Sequence, residues 1–279
     1  MADGERESTA DTTHKKKKKK TTKKKPVTFT KSFIRKDEKL INKYHALKKL
    51  QEAVKKDSQL PSEKKAVKLN ELNTKLEKLG GIDAYQEASR LGEKRYGGFN
   101  SAKWVLKQLK ENGIQPVKDH KFRLLDVGAL SCNYTKQKTW IDCTSIDLNP
   151  QNHMIMKADF LQIDSKASQY DIVVLSLVIN FEGDPVKRGQ MLKQCTRIIS
   201  KDGYLFVVLP LPCLMNSRFF SKELLLSMTQ SLGFKRIAQH SSRRLYFVMF
   251  KNTGNVNFKS FPRKITRKGD GHNNFVILL

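Results

Sequence analysis

The stretch Phe122–Arg123–Leu124–Leu125–Asp126–Val127–Gly128 decides the fold, because an apolar run of strand length ends there in an acid and a glycine. Before it, apolar residues recur every three or four positions, which is the period of a surface helix. After it, short apolar runs alternate with stretches of helix length. This alternation predicts an α/β fold with a doubly wound sheet, preceded by a helical region.

Seven segments have the composition of strands. Ile172–Leu175 and Leu205–Leu209 are continuous apolar runs, which are typical of parallel strands buried on both faces. Only a few residues join the last two strands, so we expect a hairpin and an antiparallel final strand. The predicted strands are Phe122–Val127, Ile141–Ile146, Met154–Ala158, Asp171–Leu177, Tyr204–Leu209, Phe234–His240 and Leu245–Lys251.

The chain divides by composition into four regions. We expect a disordered Lys-rich tail over residues 1–33, because like charges repel and no apolar pattern is available for burial. A helical N-terminal extension follows over 34–113. The α/β domain covers 114–251, and a basic C-terminal tail covers 252–279.

The positive charge is concentrated at the N-terminus. The chain has 54 Lys and Arg against 27 Asp and Glu, a net charge of +27, and residues 1–80 hold 24 of the basic residues and 11 of the acids. This excess favours a polyanionic partner, nucleic acid before membrane, and argues against a neutral metabolic enzyme. The runs Lys15–Lys20 and Lys23–Lys25 are either a solvated tail or a nuclear and nucleolar targeting tract that also contacts RNA phosphates, and we favour targeting.

Metal, disulfide and membrane features are not expected. The four cysteines lack the C-x-x-C spacing of a zinc ribbon, and no signal peptide indicates an oxidising compartment. The longest apolar runs are far shorter than the ~18 residues of a membrane-spanning helix. We expect a monomer without metal.

Acidic residues follow three successive predicted strands. Asp126, Asp147 and Asp159 stand at or just beyond the strand ends, where ligands of doubly wound sheets bind. A carboxylate about 20 residues past the first turn can accept hydrogen bonds from both ribose hydroxyls, and Asp147 has that spacing from Asp126. The first turn contains only Gly128, so it lacks the glycines that a dinucleotide pyrophosphate needs. A nucleoside without phosphates, such as S-adenosylmethionine, fits better, although each acid alone could be a cap or turn residue.

These features resemble the Rossmann-like, seven-stranded class I methyltransferases. Leu124–Gly128 is similar to their first motif, Ile146–Pro150 to their ribose-binding strand end, and Ala158–Phe160 to their adenine-contacting segment. The resemblance implies S-adenosylmethionine as cofactor. It also implies a set of cofactor-binding residues: Asp126, Gly128, Asp147, Leu148, Asp159, Phe160 and Ser176.

Four further motifs resemble one narrower family, the fungal 25S ribosomal RNA adenine-N(1)-methyltransferases, whose animal relatives are S-adenosylmethionine sensors. The motifs are Tyr85–Ser89, Gly97–Trp104, Ser176–Phe181 and Leu209–Arg218. The resemblance covers roughly residues 80–250. It implies methylation of one adenine of large-subunit ribosomal RNA in the nucleolus. A non-catalytic cofactor sensor and a ribosome-assembly scaffold stay open as alternatives.

The segment after the fourth strand supplies the candidate catalytic residues. Adenine amino-methyltransferases place an Asp/Asn-Pro-Pro-aromatic loop there, and Asn180–Phe181 matches it without the prolines. We expect Asn180 to hydrogen-bond the adenine edge and Phe181 to stack on the ring. The alternative is that Asn180 ends the strand and Phe181 belongs to the core.

Overall fold

The computed structural model describes residues 36–95, 101–165 and 169–279. The Lys-rich tail expected over residues 1–33 lies outside these ranges. Among the helices of the described ranges, none is both long enough and apolar enough to cross a membrane. The segment from Arg35 to Leu279 forms one compact unit.

Helices precede the sheet and then alternate with its strands. The helices are α1 Lys36–Lys56, α2 Ser62–Lys78, α3 Gly81–Arg95, α4 Ser101–Glu111, α5 Pro185–Ile198, α6 Leu211–Met215 and α7 Lys222–Ser231. The strands are β1 Phe122–Val127, β2 Ile141–Asp147, β3 Met156–Lys157, β4 Tyr170–Ser176, β5 Ile199–Pro210, β6 Phe234–Ser241 and β7 Leu245–Asn252.

The seven strands form one sheet in the order β3-β2-β1-β4-β5-β7-β6. Strands β1 to β5 pair in parallel, whereas β7 runs antiparallel to both β5 and β6. The predicted doubly wound sheet with an antiparallel last strand is therefore confirmed. The order reverses between β1 and β4, so the carboxyl ends of β1, β2 and β4 border the crevice where such sheets bind ligands.

Apolar side chains fill both faces of the sheet. On one face, Trp104 and Leu109 of α4 pack against Phe206 and Phe247 of the central strands. On the other face, α5 and α7 cover strand residues such as Val173. Burial on both faces explains why β4 and β5 read as continuous apolar runs.

Helix α4 belongs to the sheet layer, although the sequence places it in the helical extension. Its residues Trp104, Val105 and Leu109 are buried in the core that includes β1 and β4. Helices α1, α2 and α3 form a smaller core, in which Tyr44 and Leu47 pack against Leu72 and Leu76.

The C-terminal segment is part of the folded domain, which corrects the prediction of a basic tail over 252–279. Phe275, Val276 and Ile277 are buried in the main core. The buried guanidinium of Arg188 donates to the Val276 carbonyl at 2.7 Å and lies over the Phe275 ring at 4.5 Å. Gly189 of α5 lets the last residues approach, because a Cβ there would lie 1.8 Å from the Leu278 carbonyl oxygen. The sequence analysis did not predict this packing, because the many charged residues of 252–279 outweigh the short apolar end of the segment.

Candidate cofactor and substrate site

Asp147 ends β2 and is held by two donors at one oxygen. Its Oδ1 accepts from the Asn149 backbone N–H at 2.7 Å and from the Gln86 Nε2 amide at 3.2 Å. Gln86 belongs to α3, and it also donates to the Asn149 carbonyl at 2.9 Å. The helical extension therefore fixes the carboxylate that the sequence assigns to the ribose.

Burial raises the pKa of Asp147, and the hydrogen bonds from Asn149 and Gln86 partly oppose that rise. The causes have opposite signs because burial penalises the charged form, whereas donors stabilise it. A partly desolvated carboxylate with one oxygen already oriented is suited to a pair of ribose hydroxyls. This acceptor therefore fits the ribose of S-adenosylmethionine.

Gly128 follows β1 in a conformation that favours glycine. Its φ is +70°, and a Cβ there would lie 2.7 Å from Cγ2 of Val178. Its N–H donates to the Ile146 carbonyl at 2.8 Å, which ties the first turn to β2. Asp126, two residues earlier, is buried at the end of β1. The first turn therefore lies directly against the loop that follows β4.

That loop begins with a strained residue. Leu177 has φ +59°, and its N–H is held by the Val208 carbonyl at 3.0 Å. A left-handed conformation costs a non-glycine residue about 1–2 kcal/mol. Just before it, the Ser176 hydroxyl donates to Ser101 of α4 at 2.8 Å. Backbone strain of this kind concentrates at functional sites, and here it turns the chain toward Asn180.

Asn180 carries a buried amide oxygen without a partner. Within the described ranges, its Oδ1 is inaccessible to solvent and accepts no hydrogen bond. Leaving a buried acceptor unpaired costs about 1–3 kcal/mol. Such a group in a native fold calls for an explanation, and a donor on a ligand is one.

Phe181 packs inside an aromatic cluster made of Tyr44, His45, Tyr85 and Phe181. Its ring centroid lies 4.4 Å from His45, 4.4 Å from Tyr85 and 6.0 Å from Tyr44. The cluster joins α1 and α3 to the loop after β4. The structure thus favours the packing alternative for Phe181 over stacking on the target base.

Burial keeps the members of the aromatic cluster uncharged. It lowers the pKa of His45 to about 4, with further lowering by the cations Lys49 and Arg188. Burial likewise raises the pKa of Tyr85 to about 12. At neutral pH the cluster is therefore an apolar wall beside Asn180 rather than a source of general acid or base.

The remaining predicted cofactor residues differ in exposure. Leu148 is 67% exposed next to Asp147. Asp159 is exposed, and its Oδ1 accepts from the Leu161 N–H at 2.9 Å, so it caps the short 3-10 helix Phe160–Gln162. The Phe160 ring is 4% exposed and packs in the main core, which gives this side chain a structural role. Cofactor contacts from Leu148 and Asp159 stay predictions.

The sequence analysis missed the polar network between α3 and the β2–β3 loop. Asp83 accepts from Asn149 Nδ2 at 3.3 Å and from Gln151 Nε2 at 2.9 Å, and Asn149 also donates to Gln86 Oε1 at 3.3 Å. Gln86 stands in one of the resemblance motifs, but spacing along the chain does not reveal a contact across 61 residues. Among the described residues, no group of three or more His, Cys, Asp or Glu is placed to hold a metal ion.

Two solved methyltransferase structures are similar to this chain at low identity. N-methyltransferase NodS from Bradyrhizobium japonicum WM9, in complex with S-adenosyl-L-homocysteine, is 14% identical, covers 47% of this chain and 78% of its own, and gives a TM-score of 0.37. The Burkholderia thailandensis 1,6-didemethyltoxoflavin-N1-methyltransferase is 11% identical, covers 61% and 90%, and gives 0.43. The fold assignment rests on the sheet order itself.

Sequence relatives are more specific. The 25S rRNA (adenine(2142)-N(1))-methyltransferase of Saccharomyces cerevisiae is 28% identical over 220 residues, which are 76% of this chain and 62% of that protein. The 25S rRNA adenine-N(1) methyltransferase of Schizosaccharomyces pombe is 29% identical over 262 residues, 87% of this chain and 91% of that protein. The family model described as 25S rRNA (adenine(2142)-N(1))-methyltransferase, Bmt2, matches residues 70–277, a range that includes α3 and the C-terminal core residues. The chain therefore belongs to the Bmt2 family of 25S rRNA adenine-N(1)-methyltransferases.

Proposed function

We propose that this chain transfers the methyl group of S-adenosylmethionine to N1 of one adenine in 25S ribosomal RNA. The observation that carries the proposal is the family match over residues 70–277, because it spans β1, β2 and β4, whose carboxyl ends border the crevice. The two yeast relatives are named for this same reaction. The chain's own site residues supply the chemical support.

The site residues fit the cofactor by their donor and acceptor chemistry. Asp147 accepts hydrogen bonds from the ribose hydroxyls through its carboxylate, whose Oδ1 is oriented by Gln86 and Asn149. Gly128 gives the first turn a conformation that brings backbone close to the crevice. When bound, S-adenosylmethionine supplies a sulfonium methyl group that a ring nitrogen can attack.

The target atom needs orientation rather than a base. Adenine N1 has an in-plane lone pair and no proton to lose, so the neutral His45 and the aromatic cluster are compatible with the reaction. Holding the nucleophile in line can supply much of the rate. Because N1 lies on the pairing edge, the adenine must be unpaired or flipped out before it enters the site.

Asn180 is the residue that we propose orients the base. Its buried Oδ1 accepts no hydrogen bond within the described ranges, and the 6-amino group of adenine is a donor next to N1. Pairing these two groups satisfies the oxygen and fixes N1 at the same time. Replacing Asn180 with Ala removes the acceptor without touching Asp147.

The N-terminal lysines support a proposed location in the nucleolus. The runs Lys15–Lys20 and Lys23–Lys25 have the composition of a nuclear targeting tract and can also contact RNA phosphates. We place the protein in the nucleolus, acting during ribosome biogenesis on a pre-ribosomal large subunit. A fusion to a fluorescent protein tests the address, and exclusion from the nucleus contradicts it.

The reaction is tested by mapping N1-methyladenine in 25S ribosomal RNA from cells that lack this chain. We expect one modified adenine to lose its methyl group and to regain it when the wild-type gene returns. The Asn180→Ala variant should bind S-adenosylmethionine in calorimetry but fail to restore the modification. An unchanged map in the deletion strain refutes the enzyme and favours a sensor or scaffold role.

A further inference from the structure

A cluster of exposed and half-buried cations lies at the carboxyl edge of the sheet, around the end of β5. We call it the basic rim, and it consists of Arg218, Lys222, Arg243, Arg263, Lys264 and Lys268. We propose that the basic rim binds the phosphate backbone of the substrate RNA next to the target adenine. This inference rests on the proposed function, because it names the surface that holds the same substrate.

Three segments bring the basic rim together at this edge. Strand β5 ends at Pro210, which pairs with Leu245, so the turn between β6 and β7 lies beside the end of β5. The Leu211 N–H donates to the Arg244 carbonyl of that turn at 2.7 Å. Arg243 of the turn therefore stands at the same end of the sheet as the loop after β5.

The C-terminal segment adds the third part of the basic rim. The Arg218 carbonyl accepts from the backbone N–H groups of Thr266 at 2.8 Å and Arg267 at 3.2 Å. The Arg218 guanidinium in turn donates to the Gly269 carbonyl at 3.3 Å. These bonds hold Lys264 and Lys268 along the loop after β5.

Arg267 acts as the clamp of this arrangement. Its guanidinium donates to three backbone carbonyls of α6 and the loop that follows it: Ser217 at 2.7 Å, Phe220 at 2.8 Å and Leu214 at 3.0 Å. A guanidinium engaged in three directions fixes the segment that carries its basic neighbours. The basic rim is therefore preorganised, which lowers the ordering cost when it binds a ligand.

Carboxylates are sparse around the cations of the basic rim. Across residues 36–95, 101–165 and 169–279, none of the six forms an ion pair, whereas the pairs that do form involve α1, α3, α4, the N-cap of α5, β5 and β7. Residues 210–224, 241–245 and 259–272 together hold nine Lys and Arg against two acids. Uncompensated positive charge on a fixed surface attracts a polyanion.

Aromatic rings are interleaved with these charges. The Arg263 guanidinium lies over the Phe219 ring at 4.0 Å, and the Lys222 ammonium lies over the Tyr246 ring at 5.3 Å. Rings hold the cations in defined positions without neutralising them. In protein–nucleic acid complexes, contacts to phosphates usually position the nucleic acid, and contacts to bases give specificity. Fixed cations are suited to the phosphate contacts, and the base-binding crevice is suited to the base contacts.

An acidic protein could also be attracted to a basic surface, but position favours RNA. Strands β4 and β5 pair in parallel up to Ser176 and Val208, so the segment after β5, which carries part of the basic rim, starts next to the loop that carries Asn180. A flipped adenine enters the crevice with phosphates on both sides. A surface at this edge therefore meets the backbone of the substrate itself. Binding of an acidic protein instead becomes an outcome of the test.

The test compares two triple variants that lose the same charge. The rim variant carries Arg243→Gln, Arg263→Gln and Lys268→Gln. The control variant carries Lys110→Gln, Lys118→Gln and Lys201→Gln, which are exposed residues near the opposite edge, where β1 and β5 begin. The probe is protein-free 25S ribosomal RNA from cells that lack this chain, and its affinity is measured between ~50 and ~200 mM salt.

We expect the slope of log affinity against log salt to become shallower by about 2–3 in the rim variant, since each lost phosphate contact contributes about 0.7–0.9. The control variant should keep the wild-type slope. In methyl transfer, KM for RNA should rise in the rim variant, while kcat and calorimetric binding of S-adenosylmethionine stay unchanged.

A rim variant with the wild-type salt slope and RNA KM overturns the inference. So does a rim variant that keeps RNA affinity but loses an acidic protein from wild-type complexes. If wild-type protein binds the RNA but transfers no methyl group, the proposed function fails, and the salt slopes still decide the role of the basic rim.

Discussion

Gly128 allows a quantitative test of the crevice geometry. Its φ of +70° makes Ala strained there, and the added Cβ would lie 2.7 Å from Val178 Cγ2. The left-handed conformation costs Ala about 1–2 kcal/mol. Forcing a methyl group into an occupied space adds about 1–3 kcal/mol. We therefore expect Gly128→Ala to lower the free energy of unfolding by the sum of both effects.

Gly113 supplies a matched control. Its φ is +75°, but a Cβ there meets no atom within 4 Å. Gly113→Ala should therefore cost only the conformational part, about 1–2 kcal/mol. The difference between the two variants isolates the contact with Val178.

Urea unfolding of both variants measures this difference, and a double-mutant cycle assigns it. Adding Val178→Ala removes Cγ2, so it should recover about 1–3 kcal/mol in the Gly128→Ala background only. Because Asn180 lies two residues beyond Val178, Gly128→Ala should also reduce methyl transfer, whereas Gly113→Ala should not. Equal stability losses at Gly128 and Gly113 would refute the close contact between the first turn and the loop after β4.

Two further predictions follow from the charged groups. Asp147→Asn keeps an acceptor oxygen for Gln86 but removes a charge whose pKa is raised mainly by burial. A raised pKa of an acid makes the folded state less stable above that pKa, so the variant should unfold at the same or a higher temperature. Its calorimetric affinity for S-adenosylmethionine should fall at least tenfold. An unchanged affinity contradicts the ribose role of Asp147. Asp184 caps α5 through the Val186 N–H at 2.9 Å and pairs with Lys56 of α1. Asp184→Ala should cost about 0.5–2 kcal/mol, and Asp184→Asn, which keeps the cap, at most about 1 kcal/mol. Burial raises the pKa of Asp184, but the hydrogen bonds from Lys56 and Val186 outweigh it and leave the pKa below its usual value. The advantage of wild type over Asp184→Asn should therefore be present above about pH 4 and disappear in stronger acid, and an advantage that persists in acid contradicts the ion pair.

The helical extension contacts the loop after β4 at two further points. Phe181 packs between His45 and Tyr85, and a Cβ on Gly183 would lie 2.9 Å from Cγ of Glu52. Both contacts involve the loop after β4, which also carries Asn180. The helical extension therefore supports the loop that carries Asn180, in addition to holding Asp147 through Gln86.

The amino-acid sequence by itself determined the architecture. Continuous apolar runs at β4 and β5 indicate strands buried on both faces, and the acids at strand ends indicate where a ligand binds. These signals are local, since a period or a strand end is encoded within a few neighbouring residues. The resemblance motifs added the family, which the match over residues 70–277 bears out.

Only the tertiary structure decided which side chains surround the crevice. It joined Gln86 to Asp147 across 61 residues and packed Phe181 among aromatic rings of α1 and α3. It also buried Phe275 in the main core, although this residue belongs to a segment whose composition predicts a basic tail. Contacts between distant segments depend on how the helices pack against the sheet, and the spacing of apolar residues along the chain does not encode them. The same holds for charge. The composition determines the net charge of +27, but only the fold brings six of the cations together in the basic rim.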